Sequence, residues 1–127
     1  MSHSILIVDD SKLARMAVAK ALSVAHADWA RLEASNSDEA MALIKANDVD
    51  AALLDFNMPG RDGLALAAEM RLLKPDMPIA IVSANHQQEV VQRARAIGAQ
   101  FLPKPLTAEA PAQFIAGPAP EPEASYP

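Results

Sequence analysis

The sequence contains no cysteine, which excludes a disulfide framework, a thiolate nucleophile and any cysteine-ligated metal site. Long hydrophobic runs are missing as well. Met1-Ser2-His3-Ser4 carries no basic stretch, and the apolar segment after it extends only from Ile5 to Val8. That is too short for a signal peptide or a membrane span, so a cytoplasmic protein without membrane insertion is expected. Positive charge is scarce: 11 Lys and Arg stand against 16 Asp and Glu, a formal net charge of −5. Nucleic-acid backbones are bound through clustered Lys and Arg, so direct nucleic-acid binding is not expected. Internal repeats are absent beyond the alternation described next.

What is present is a series of short apolar runs that end in polar, chemically capable residues. Ile5-Leu6-Ile7-Val8 ends in Asp9-Asp10, Ala51-Ala52-Leu53-Leu54 ends in Asp55, and Ile79-Ala80-Ile81-Val82 ends in Ser83. Gln100 to Pro103 leads into Lys104, and Ala30 to Ala34 reads as a further short strand. Runs this uniformly apolar read as strands buried on both faces, as in a parallel sheet.

Between the runs lie segments of helical period. Ser11 suits the N-cap of a helix reaching Ala25, with Ala14, Ala17, Val18, Ala21, Leu22 and Ala25 on one face. Asn36 or Ser37 caps a second helix, with Asp38 and Glu39 near its positive end and Ala40, Leu43 and Ile44 inward. Asp62-Gly63 opens a third, with Leu66, Ala67, Met70 and Leu73 inward, stopped by Lys74-Pro75. A fourth runs from Gln87 to Ile97 and closes at Gly98, a residue suited to the left-handed conformation. Thr107 caps a last helix, in which Pro111 falls just after the first turn and is expected to shorten or disrupt it. Five strand–helix repeats with short connections imply a doubly wound α/β domain over residues 1–116, with helices on both faces of a parallel sheet. The Pro-rich, acidic segment 117–127 reads as a disordered or extended tail without room for a second domain.

In such a sheet the strands deliver their last residues to one edge, where ligands bind. Asp9, Asp10, Asp55, Ser83 and Lys104 should therefore converge. Crowded carboxylates repel, and protonation or a bound cation relieves them. Oxygen ligands without His or Cys select Mg²⁺, with Mn²⁺ as the substitute, and a neighbouring lysine supplies a point charge for a phosphoryl group. This set suits transfer of a phosphoryl group onto a carboxylate. Taken singly, each residue has a plainer reading: Asp9-Asp10 a solvated turn, Asp55 a loop cap, Lys104 an exposed charge, Ser83 a backbone-bonding hydroxyl. Four strand ends with matching chemistry weigh against those readings together.

At these residues the sequence closely resembles the receiver domain of two-component response regulators. The motifs are Val8-Asp9-Asp10-Ser11, Leu54-Asp55-Phe56-Asn57-Met58-Pro59, Asp62-Gly63, Val82-Ser83-Ala84 and Lys104-Pro105, spread over roughly residues 4 to 110. The resemblance implies a flavodoxin-like sheet of order 2-1-3-4-5 and a stand-alone receiver. Asp55 would be the phosphoacceptor, and Asp10 and Asp55 would bind Mg²⁺ directly, with Asp9 acting through water and the Asn57 backbone carbonyl as a further ligand. Lys104 would pair with the phosphate, Ser83 would be the switch hydroxyl and Phe101 the aromatic switch residue. Asn57 and Asn85 would tune the phosphate's lifetime. The implied partners are a histidine kinase or histidine phosphotransfer protein and a protein target; the implied chemistry is limited to the domain's own phosphorylation and dephosphorylation. Arg61 departs from the family's usual apolar residue, and Pro111 alters the last helix.

Other classes fit less well. A Mg²⁺-dependent phosphohydrolase would need a second acid where Asn57 stands, and a phosphorylation-independent adaptor would not need the acid–Ser–Lys set. A flavodoxin-like cofactor binder lacks a Ser/Thr/Gly-rich phosphate loop after the first strand. His3, His26 and His86 read as solvated, and Trp29 as a cover for the core.

Overall fold

Apolar runs that need cover on both faces obtain it here by pairing in parallel between two helical layers. The computed structural model describes residues 3–58, 62–84, 88–104, 107 and 109–116. Its elements alternate: β1 (Ser4–Val8), α1 (Lys12–Ala25), β2 (Ala30–Ala34), α2 (Ser37–Ala46), β3 (Ala51–Asp55), α3 (Gly63–Leu73), β4 (Ile79–Ser83), α4 (Gln88–Ala96), β5 (Gln100–Pro103) and α5 (Ala110–Ala116). The strands form a parallel sheet in the order β2-β1-β3-β4-β5, as the resemblance implied. Residues 117–127, the segment read as a tail, lie outside the described residues, as do Arg61, Asn85, His86 and Pro105. Among the described residues no helix is long and apolar enough to cross a membrane.

The two-residue period of a strand divides the core in two. Leu6, Val8, Ala52, Leu54, Ile79 and Ile81 face α2, α3 and α4, where Ala40, Ile44, Leu66, Ala67, Met70, Val90 and Ala94 meet them. Ile5, Ile7, Ala51, Leu53, Ala80 and Val82 face α1 and α5, meeting Val18, Leu22 and Phe114. Each fully buried aliphatic side chain contributes ~1.5–3 kcal/mol, so the central strands, buried along their whole length, anchor the domain.

Helix boundaries follow local chemistry. Asn36 is the N-cap of α2, accepting from the Glu39 N–H at 2.8 Å, and Glu39 reaches back to accept from the Ser35 N–H at 2.8 Å. Gly98, at φ 72°, ends α4 in a Schellman motif, with Ala99 N–H donating to the Ala94 carbonyl at 2.8 Å and Gly98 N–H to that of Arg95 at 2.9 Å. Ahead of α5, the Thr107 hydroxyl accepts from the Ala110 N–H at 3.2 Å.

Several inward faces differ from expectation. Pro111 lies second in α5, inside its first turn, and is fully buried. A first-turn residue has no intrahelical acceptor to lose, and Ala110 N–H already occupies the Thr107 carbonyl at 3.3 Å. The proline thus starts this seven-residue helix rather than breaking it. Among the described residues of α1, Val18 and Leu22 are buried, Ala19 is partly buried against the same core, and Ala17 is exposed. Ala14, Ala17, Ala21 and Val24 line an apolar groove of about 630 Å³ between α1 and α5. On α3, Leu73 is 49% exposed while Leu64 is buried, and on α2, Met41 is buried where Leu43 is only half-buried. Trp29 covers the α1–α5 side of the core, but His3 is not merely solvated: its ring stacks on Trp29 at 4.9 Å, with His26 edge-on at 6.3 Å.

At the sheet edge away from the acidic residues, Arg71 of α3 binds five backbone carbonyls. Nε donates to Ile97 at 2.9 Å, Nη1 to Lys74, Pro75 and Met77 at 3.3, 2.9 and 2.7 Å, and Nη2 to Gly98 at 3.1 Å. Arg71→Met leaves those carbonyls without their donor. It is expected to lower the unfolding free energy by ~2–4 kcal/mol, measured by urea denaturation. A second prediction concerns pH. The Ser35 N–H and hydroxyl hold the Glu39 carboxyl below its ordinary value of 4.5. A depressed folded value means stabilisation that is present above 4.5 and lost as the pH falls through the folded value. Glu39→Gln should therefore melt below the wild type at pH 7, and the gap should close on acidification.

Candidate functional site

Sheet register brings the strand ends together. Val8 pairs with Leu54 and Asp55 with Val82, so the residues after β1 lie beside the end of β3. Ser83 pairs with Pro103, and Lys104 follows directly. One carboxylate oxygen from each of Asp9, Asp10 and Asp55 lies within 4.8 Å of the others. Lys104 Nζ is 2.9 Å from Asp55 Oδ1 and 4.0 Å from Asp9 Oδ2. Asp9 and Asp55 are buried and Asp10 is exposed, so the cluster opens to solvent on the Asp10 side.

The electrostatics follow from this crowding. Burial pushes the Asp9 carboxyl above its ordinary value, and the charges of Asp55 and Asp10 push the same way; the Ser11 N–H and Lys104 oppose them. Burial works against the Lys104 ammonium, but its hydrogen bond to Asp55 and the charges of Asp55, Asp9 and Asp10 outweigh that, and its value is raised. The lysine therefore stays charged throughout the physiological range. Three hard oxygen donors, one of them a carboxylate that burial and then neighbouring charge hold above its ordinary value, are a donor set that fits Mg²⁺, with no nitrogen or sulfur ligand among them.

Ser83 is buried at the end of β4, and its carbonyl accepts from the Lys104 N–H at 3.0 Å, tying the two strand ends together. Asn57 is exposed just beyond β3. Phe101 is half-buried on β5 opposite Ile81 and packs against the α2–α3–α4 side of the core, not among the carboxylates. The sequence brought Asp9, Asp10, Asp55, Ser83 and Lys104 to one edge, and there they are.

Two further residues shape the site, Gly63 from the Asp62-Gly63 motif and Arg15, which the sequence did not single out. Gly63, the first residue of α3, passes so close to the Asp55 main chain that a Cβ there would overlap the Asp55 carbonyl oxygen and come within 3.0 Å of its carbon. Its N–H donates to the Phe56 carbonyl at 3.0 Å, and Asp62 caps the helix by accepting from the Ala65 N–H at 2.8 Å. The glycine thus seats α3 directly under the phosphoacceptor candidate. Arg15, on α1, donates to the Asp9 carbonyl at 2.6 Å and pairs with Glu33 at 3.0 Å.

Fold and site define a doubly wound α/β domain with a carboxylate–lysine pocket at the carboxyl edge of its sheet. The chain belongs to the response regulator receiver domain family, whose model matches residues 5–115. It is 34% identical to the chemotaxis protein CheY of Bacillus subtilis over 110 residues, covering 86% of this chain and 91% of that one. It is 36% identical over 98 residues to the glycerol metabolism activator of Pseudomonas putida, covering 76% of this chain and 44% of the relative. The chain thus spans about half the length of several curated relatives it matches. Chemotaxis protein CheY4 of Vibrio cholerae has a similar structure, with a TM-score of 0.82 at 26% identity over 91% of this chain and 98% of that one.

Gly63→Ala should force α3 away from Asp55. It is expected to cost ~1–3 kcal/mol of stability in a thermal or denaturant melt, as overpacking does.

Proposed function

We propose that this receiver domain signals by accepting a phosphoryl group on Asp55. The observation that carries the reading is the charged Lys104 at 2.9 Å from Asp55 Oδ1, inside a cluster of three carboxylates. The donor is the phosphohistidine of a histidine kinase or histidine phosphotransfer protein. An Asp55 carboxylate oxygen attacks phosphorus, the new P–O bond forms as the P–N bond breaks, and the departing imidazole nitrogen keeps the bonding electrons and takes a proton. Asp9, Asp10 and Asp55 would hold Mg²⁺, aided by the Asn57 carbonyl, and the ion when bound offsets negative charge on the phosphoryl oxygens.

The chain's own residues do the rest. Asp55 is a nucleophile without needing deprotonation by a base. Lys104 exchanges its bond to Asp55 for one to a phosphoryl oxygen, so the pocket keeps its cation as negative charge accumulates. Ser83 supplies a hydroxyl to the same group, and its movement shifts the end of β4. Phe101 then turns inward, and the equilibrium between two surface arrangements moves toward the one that binds a protein target. Net turnover of other phosphate compounds is not part of this function; dephosphorylation is a separate step in which water attacks phosphorus, the bond to the Asp55 oxygen breaks, and inorganic phosphate leaves as the carboxylate is restored.

Incubation with acetyl phosphate, followed by intact-protein mass measurement, tests the reading. One phosphoryl group should be gained with Mg²⁺, none without it, and none by Asp55→Asn. Absence of any gain, together with failure of beryllium fluoride and Mg²⁺ to bind the wild type, would overturn it.

A further inference from the structure

Asp9 sits at the joint between β1 and α1, where the sheet's hydrogen bonding ends and the chain must turn. Its polar groups are tied down in three directions. The N–H donates to the Ala34 carbonyl at 3.1 Å, extending the β1–β2 ladder by one residue. Oδ1 accepts from the Ser11 N–H at 2.9 Å, fixing the turn into the helix. The carbonyl accepts from Arg15 Nη1 at 2.6 Å, while Oδ2 lies 4.0 Å from Lys104 Nζ.

The third contact reaches further than Asp9. A peptide unit is planar, so holding the Asp9 carbonyl also sets the orientation of the Asp10 N–H and the position of the Asp10 Cα. Asp10 is the exposed member of the carboxylate cluster, without the burial that immobilises Asp9 and Asp55. The guanidinium is itself anchored on the other side: Nε donates to Glu33 Oε1 of β2 at 3.0 Å, and the arginine side chain is only 14% exposed. Glu33 therefore serves two ends. It holds the fork in place, and it neutralises a cation that would otherwise oppose cation binding nearby.

We infer that Arg15 is a positioning residue for the metal-binding carboxylates, acting on the Asp9–Asp10 peptide and held in register by Glu33. This rests on the reading of the pocket as a Mg²⁺ site given above. The requirement is for a fork. Two separate N–H groups reach a carbonyl and a carboxylate at once, and a lysine ammonium in the same place cannot span both. Groups that orient metal ligands in this way commonly change metal affinity 10- to 100-fold, on the order of what is expected here.

Calorimetric titration of the full chain with Mg²⁺ tests the inference on wild type, R15M, R15K, E33Q and R71M. R15M is expected to bind Mg²⁺ at least ~10-fold more weakly, R15K to recover only part of the loss, and E33Q to fall between wild type and R15M. R71M removes a structural arginine remote from the carboxylates, so it should lower stability and leave Mg²⁺ affinity unchanged; this separates positioning from a general loss of rigidity. A folded R15M that binds Mg²⁺ as tightly as wild type overturns the inference. If R15M does not fold, unchanged affinity in both R15K and E33Q overturns it equally. Absence of Mg²⁺ binding by the wild type removes the reading of the pocket itself, and the inference with it, and is recognised because the unmodified chain fails.

Discussion

Like-charge repulsion is the constraint on which the rest of this structure depends. Three carboxylates meet at one sheet edge, two of them buried, in a place where each would be more stable apart. They stay together because the strands that carry them have no alternative register. β1 and β3 are buried along both faces, and slipping either by one residue would exchange the apolar side chains of the two helical layers. Lys104 relieves part of the repulsion and is itself held by the β4–β5 pairing. Hydrophobic burial thus enforces an electrostatic conflict that only positive charge can relieve, and Lys104 supplies part of it.

The two helical layers divide the work unequally. α2, α3 and α4 present a broad buried face to the sheet, whereas α1 and α5 meet it through Val18, Leu22 and Phe114. The described part of α5 is seven residues, with Pro111 second and fully buried. An apolar groove runs beside α1 and reaches Asp9, Asp55 and Lys104 at the sheet edge.

Much of this was legible in the sequence because parallel strands write themselves as unbroken apolar runs, and because their last residues carry unlike chemistry. Val8-Asp9-Asp10, Leu54-Asp55, Val82-Ser83 and Pro103-Lys104 announced both the sheet edge and its contents. Less legible were features that depend on distant partners. Nothing near Arg15 in the chain marks it as the donor to Asp9, since its anchor Glu33 lies on another strand. Gly63 read as a helix opener, and only its proximity to the Asp55 carbonyl shows why no side chain fits. Helical period alone put Leu73 and Ala17 inside and left Ala19 out, because period says which residues share a face but not which of them the neighbouring element covers. Pro111 was read as shortening or disrupting the last helix; the helix is short, at seven residues, but the proline lies near its start rather than interrupting it.

The arginine at the opposite edge of the sheet gives α4 an asymmetry. Arg71, rooted in α3, grips the carbonyls of Ile97 and Gly98, the last links of α4 before β5. The helix is therefore moored at its carboxyl end, while its amino end follows the β4 segment that carries Ser83. A rod fixed in this way cannot slide as a body without tearing the mooring. Arg71 thereby ties the carboxyl end of α4 and the turn before β4 to a single side chain of α3, so three elements share one anchor at the edge of the sheet away from the carboxylates.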